Sequence, residues 1–320
     1  MSYYTHLTID ELAFIDSYLE QGYSGNKIAR ELGRSPETIH RVLRKRKAGT
    51  SSSESYVQYR EQKKRCGRKP IELTALEIEY VNTKLQEGWT PDVIVGRGEY
   101  PLSCRVSTLY RRFRQGLFDI TKLPFKGKRK TNGHKEKRGR QGFTRDLRAR
   151  EKEHPNFAVE FGHLEGDTIV GKAHKTAIIT LVERKTKSII ALKTEGRKAT
   201  DIEDSISDWL DTIPKNFFKS ITFDCGKEFS NWKQISNKYD IDIYFADPGT
   251  PAQRGLNENS NGLLRRDGLP KKMDFNEVSK KYVTGVANRR NNIPRKSLDY
   301  KTPIECMTEH VNCLELSRLI

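Results

Sequence analysis

The sequence predicts an all-α front part followed by an α/β layer domain built on a mixed sheet. Three observations carry that expectation. Between Thr8 and Phe113, apolar residues recur at helical spacing behind N-cap residues. Between Thr121 and Arg150, twelve Lys or Arg stand against two acidic residues with little that is apolar, so a core breaks off there. From Asp167 onward, three neighbouring β-rich runs give way to alternating helix and strand.

In the front part, Ile9, Leu12, Ile15 and Leu19 keep a helical period from Thr8 to Gln21, with Thr8 as N-cap and Glu11 three residues on. Gly22 ends that helix. Ser24 opens a second through Ile28, Ala29 and Leu32, stopped by Gly33. Ser35-Pro36-Glu37 starts a third, with Pro36 at the first helical position and Ile39, Val42 and Leu43 facing inward. Two short helices around a Gly turn, the last carrying Arg41, Arg44, Lys45, Arg46 and Lys47, describe a helix-turn-helix over residues 1–50. A small helical bundle with a basic edge is the plainer alternative. Ala48 to Ser55 is Ser-rich and Arg60 to Lys69 is basic, so residues 51–70 read as a linker.

The helical pattern then repeats. Thr74 caps a helix carrying Leu76, Ile78, Val81 and Leu85, and Thr90-Pro91-Asp92 opens a short one. Val106-Ser107-Thr108 leads into Leu109-Tyr110-Arg111-Arg112-Phe113, much as Ser35-Pro36-Glu37-Thr38 leads into Ile39-His40-Arg41. Residues 71–118 are therefore expected to form a second helix-turn-helix. Residues 119–153 read as a basic, flexible linker that would order on DNA.

Charge narrows the partners. Lys plus Arg number 59 against 42 Asp plus Glu, a formal net charge of +17. Such an excess repels itself unless a polyanion is the working partner, and nucleic acid is the usual one. A ribosome-associated or merely lysine-rich protein is the bland alternative. The five cysteines are scattered without zinc-finger spacing, which points to reduced thiols. The N-terminus carries no signal-peptide pattern, and no run reaches the roughly 18 apolar residues of a membrane span. A cytoplasmic protein without membrane contact is expected.

The rear part, residues 154–320, is read strand by strand. Asp167 to Val170, Thr176 to Val182 and Ser188 to Leu192 form three neighbouring strands. Asp201 to Leu210 is helical, Ser220 to Phe223 a short buried strand, Trp232 to Tyr239 helical and Ile241 to Phe245 a strand. A helix carrying Glu258 follows, then a C-terminal helical tail. That order matches a ribonuclease H-like core.

In such a topology Asp167, on the first strand, and Asp224, at the end of an adjacent strand, lie side by side, and the helix lays Glu258 across the same edge. Carboxylates crowded together repel strongly and need cations. Oxygen ligands select Mg²⁺ or Mn²⁺, and two such ions about 3.5–4 Å apart would activate water or a 3′ hydroxyl for in-line attack at phosphorus. With 42 acidic residues chance triples abound. Local context raises the odds: Asp224 opens the tight turn Cys225-Gly226-Lys227-Glu228-Phe229, and Glu258, Asn261 and Arg265 share a helical face.

Gly166-Asp167-Thr168-Ile169-Val170-Gly171-Lys172, Ile221-Thr222-Phe223-Asp224 through Phe229, Phe245-Ala246-Asp247-Pro248 through Arg265, and the ending Asn288-Arg289-Arg290-Asn291-Asn292-Ile293-Pro294 resemble the insertion-sequence-30 family of bacterial transposases. The likeness covers nearly the whole chain. It implies a DDE, integrase-type catalytic domain with Asp167, Asp224 and Glu258 as the catalytic and metal-binding acids and Mg²⁺ as cofactor. It implies binding of an element's inverted-repeat ends by the N-terminal region, and strand transfer into target DNA by a homo-oligomer. This chain has Cys225 where the family usually has Asn, and Leu164 where it has an aromatic residue. For DNA contact, Thr38, His40, Arg41 and Arg44 are expected in the first module and Ser107, Thr108 and Arg111 in the second. Arg254, Asn261 and Arg265 are expected to contact DNA beside the acids. A nuclease or phage-type integrase of the same fold, and a non-catalytic DNA-binding repressor, are the competing classes.

Overall fold

A computed structural model describes residues 5–67, 71–127, 142, 144–172 and 176–311. Most of the basic stretch (128–141 and 143) and the last nine residues of the expected tail lie outside the described residues. The chain divides into one unit ending at Glu72 and another beginning at Leu73.

The first unit holds α1 (Ile9–Glu20), α2 (Gly25–Glu31), α3 (Pro36–Lys47) and α4 (Ser52–Arg65). Thr8 and Glu11 close a reciprocal capping box on α1, and the Ser24 and Ser35 side chains accept from the backbone of Lys27 and Thr38. Each satisfies amides that a helix start leaves unpaired. Leu12, Ile15, Ile28, Ala29, Ile39 and Val42 pack together as the core.

Helix α4 corrects the linker expected at 51–70. Its sequence has few apolar residues, but Ser51 and Glu54 form a second capping box, and its first turn is held by polar contacts. Arg46 is the strut: it donates to Asp16 (2.6 Å), to the Thr50 carbonyl (2.6 Å) and to Ser52 and Ser55. An arginine that reads as part of a basic tail is thus spent inside the unit.

The second unit begins with α5 (Ala75–Gln86), α6 (Pro91–Arg97) and α7 (Val106–Arg114). These helices are not a separate bead. Arg97 donates to both carboxylate oxygens of Glu305 and to the Tyr300 carbonyl. A Cβ on Gly96 would lie 2.1 Å from the Tyr300 ring, so only glycine lets α6 approach that far. The end of the expected flexible linker is also ordered. Helix α8 (Leu147–Glu153) follows a bridge in which the Phe245 amide donates to the Arg145 carbonyl (2.8 Å). Arg145 pairs with Asp242 and Glu153, and buried Arg150 donates to Thr222 (2.9 Å) and lies over the Phe157 ring. Their positive charge is absorbed by the domain, which is why basic composition misleads there.

The sheet comprises β1 (His163–Val170), β2 (Ala177–Glu183), β3 (Ile189–Lys193), β4 (Ser220–Phe223) and β5 (Asp242–Phe245), in the order β3-β2-β1-β4-β5. The first three strands run antiparallel to one another, and β1, β4 and β5 run parallel. This is the ribonuclease H-like arrangement, with every strand where the hydrophobic runs put it and β1 extended back to His163. One face packs Leu164, Leu181, Ile221, Phe223 and Ile243 against Ile202, Ile206 and Trp209 of α9 (Ala199–Leu210) and Ile235 of α10 (Trp232–Tyr239). The other face packs Ile169, Ile178, Val182 and Ile189 against Leu264 of α11 (Gly255–Asp267) and Val283 and Val286 of α12 (Lys280–Asn291). A last short helix, α13 (Pro303–Thr308), carries Glu305, the partner of Arg97.

Candidate active site

Parallel pairing of β1 with β4 matches Glu165 to Thr222. Carried two residues further, that register sets Asp167 opposite Asp224. Gly166 makes the approach possible: a Cβ there would lie 2.3 Å from the Phe223 ring. Both aspartates therefore leave the sheet at the same edge, where Asp167 is 25% and Asp224 20% exposed at the side chain.

Helix α11 crosses this edge and is anchored by two buried asparagines a helical turn apart. Asn257 donates from its side chain to the carbonyls of Glu165 (2.6 Å) and Thr180 (3.0 Å), and its backbone amide donates to the Glu165 carboxylate (3.0 Å). Asn261 donates to Asp167 Oδ2 (2.9 Å) and accepts from the Thr180 hydroxyl (2.7 Å). This corrects the expectation that Asn261 contacts DNA. Its amide is used on both sides within the protein, and what it holds is the orientation of Asp167.

Arg254, just before α11, lies between the two aspartates, 3.6 Å from Asp167 Oδ1 and 3.8 Å from Asp224 Oδ2, and donates to the Gly166 carbonyl (3.3 Å). Burial pushes the Asp167 carboxyl above its ordinary value; Arg254 opposes this, Asp224 adds to it, and Arg265 opposes it more weakly. A pair of carboxylates with a guanidinium 3.6–3.8 Å from each is a place where further cations are favoured.

Glu258 is exposed. It stands in the stripe Arg254, Glu258, Asn261, Arg265, spaced four, three and four residues, which is one face of a helix. Two members of that stripe contact the aspartates directly and a third acts on Asp167 through its charge. Among the described residues the three carboxylates do not gather within the reach of one ion. Arg254 lies near both aspartates, and Glu258 is exposed one helical turn beyond it.

One acid escaped the sequence reading. Glu228 accepts from the Thr168 hydroxyl (3.4 Å), and a Cβ on Gly226 would meet both its carboxylate (2.6 Å) and that of Asp224 (2.8 Å). The signal was its place in the turn that Asp224 opens. Cys225 points its thiol at the Ala246 carbonyl (3.1 Å), tying that turn to the end of β5.

The expected DNA-reading residues fall on two helices. On α3, His40, Arg41 and Arg44 are exposed, Thr38 is half-buried with its hydroxyl 2.8 Å from that of Ser35, and Arg44 pairs with Glu37 in the open. His40 lies 3.0 Å from Asn26. On α7, Ser107 and Arg111 are exposed one turn apart, and Thr108 is half-buried.

A family model described as a helix-turn-helix domain matches residues 3–46. A transposase for insertion sequence element IS4351 from Bacteroides fragilis is 32% identical over 96% of this chain and 97% of its own length. The transposase InsI for insertion sequence element IS30C from Escherichia coli strain K12 is 30% identical over 96% of this chain and 84% of its own. Among solved structures, the catalytic core domain of BIV integrase aligns at 16% identity and TM-score 0.36, covering 46% of this chain and 94% of that one.

Proposed function

Because the chain belongs to the insertion-sequence-30 family of transposases, we propose that it binds the inverted-repeat ends of a mobile element, cuts them and joins them to target DNA, with Asp167, Asp224 and Glu258 as the acids of the reaction. The observation that carries this reading is the pair of aspartates at the ends of adjacent strands with a guanidinium between them. Its donor set, carboxylate oxygen only, fits a hard divalent cation. When bound, Mg²⁺ or Mn²⁺, as two ions, supplies Lewis-acid polarisation of the phosphodiester and a more acidic attacking hydroxyl.

The protein's own residues do the rest. Asn261, itself held by the Thr180 hydroxyl, donates to Oδ2 of Asp167 and so orients the carboxylate, whose Oδ1 lies toward Arg254. Glu258, exposed on the helical face it shares with Asn261, would complete the carboxylate set around a bound cation. Arg254 and Arg265 then have their charge available for the DNA phosphates flanking the cut. Exposed side chains on α3 hold the element ends, and one copy of the chain per end makes a homo-oligomer on DNA.

The test is joining of a labelled inverted-repeat end to a second DNA in the presence of Mg²⁺. Joined product is expected from the native chain. Cleavage of the end without any joining would assign a nuclease instead, and binding without cleavage a repressor.

A further inference from the structure

At the opposite end of β1 from the aspartates, His154, Glu160 and His163 each bring a ligand atom within 4.8 Å of the other two. His163 is the first residue of β1 and Asp167 the fifth, so about 13 Å of strand separates the two clusters. We propose that these three side chains form a zinc site with one open position, which ties the loop before β1 to the starting ends of β4 and β5.

The rings are set from behind. Asp242, the first residue of β5, takes the Nε2 proton of His154 (2.8 Å), which leaves the Nδ1 lone pair as the ligand that ring can offer. Ser220, the first residue of β4, lies 2.7 Å from Nδ1 of His163, whose Nε2 faces Glu160 Oε2 at 3.2 Å. A metal-bound histidine is commonly fixed by such an outer partner on its second nitrogen. Here both rings have one.

The two carboxylates are steered the same way. Glu160 gives one oxygen to Lys219 and keeps the other toward His163, while Asp242 gives one to Arg145 (2.7 Å) and the other to His154. The rings meet edge to face, centroids 5.0 Å apart at 70°, so their nitrogens can converge without stacking. His163 is fully buried. Two imidazoles and one carboxylate suit zinc and leave a fourth, water-filled position; the all-carboxylate edge suits Mg²⁺. The two sites would sort different cations.

The test uses the full-length, tag-free chain stripped with chelator and then titrated with ZnCl₂, read by bound zinc per chain and by melting temperature. A single Zn²⁺ with a raised melting temperature is expected. It should survive in Asp167→Ala/Asp224→Ala, vanish in His154→Asn and Glu160→Gln, and weaken about 10- to 100-fold in Asp242→Asn. His154 and Glu160 are only half-buried, so those variants should fold; if their melting temperature without zinc matches the native chain, the loss is a ligand loss. No zinc on the native chain, or zinc retained by both ligand variants, would overturn the site, and zinc lost only from the aspartate double variant would assign it to the other edge.

Discussion

Asn261 is where the reaction centre meets the scaffold. Its amide joins Asp167 to Thr180, so Asn261→Ala frees the carboxylate to rotate, while the Thr180 hydroxyl keeps Asn257 as a partner. Nicking of end DNA should fall about 10- to 100-fold, as outer-shell losses around metal ligands do, with end binding intact. Gel-shift and nicking assays on one preparation separate the two. Arginines of α3 divide in a similar way. Arg44 is 68% exposed, and its ion pair with Glu37 in the open adds little stability in water. Arg44→Ala should leave melting unchanged and lower the slope of log affinity against log salt by about one. Arg46 is 14% exposed and tied to Asp16, Thr50 and Ser55. Arg46→Ala should instead destabilise the first unit by about 1–3 kcal/mol through the partners it strands. A salt titration beside a melting curve tells the two roles apart, and a reversal of outcomes would overturn the assignment.

At the scale of elements, close packing of α6 on the segment around Tyr300 rests on Gly96. Gly96→Ala forces the ring or the helix aside and should cost about 1–3 kcal/mol as an overpacking change, seen as a lower melting temperature of the second unit; an unchanged one would show the contact is not tight. The strands could be read directly from the sequence because β2 and β4 are buried along their whole length, β2 as a continuous Ile, Leu and Val run and β4 as the short β-branched and aromatic Ile221-Thr222-Phe223. Asp224 was legible because it ends such a run. Helix α4 was not, since Ser-rich composition outweighed the capping box in Ser51 and Glu54 that announces it. That Asn257 and Asn261 turn inward to hold β1 was not, because amides on a polar helix read as facing solvent or DNA until the sheet beneath them is known. The His154–Glu160–His163 group was not, because Ser220 and Asp242, which hold its rings, come from strands far along the chain.

Across the whole molecule the net charge is +17, and among the described residues α3 exposes Arg41 and Arg44 and α7 exposes Arg111 and Arg114. Among the described residues no helix is long and apolar enough to cross a membrane. That distribution suits an enzyme that grips a polyanion on its surface while keeping carboxylates at the point of reaction. The central claim is that Asp224 touches the metal on which DNA cutting depends. The measurement closest to it is nicking of end DNA by Asp224→Cys in Mg²⁺ and in Mn²⁺, since a thiolate is a poor ligand for the harder ion. The account predicts no nicking in Mg²⁺ and recovery in Mn²⁺. Nicking in Mg²⁺ at the rate of the native chain would contradict it.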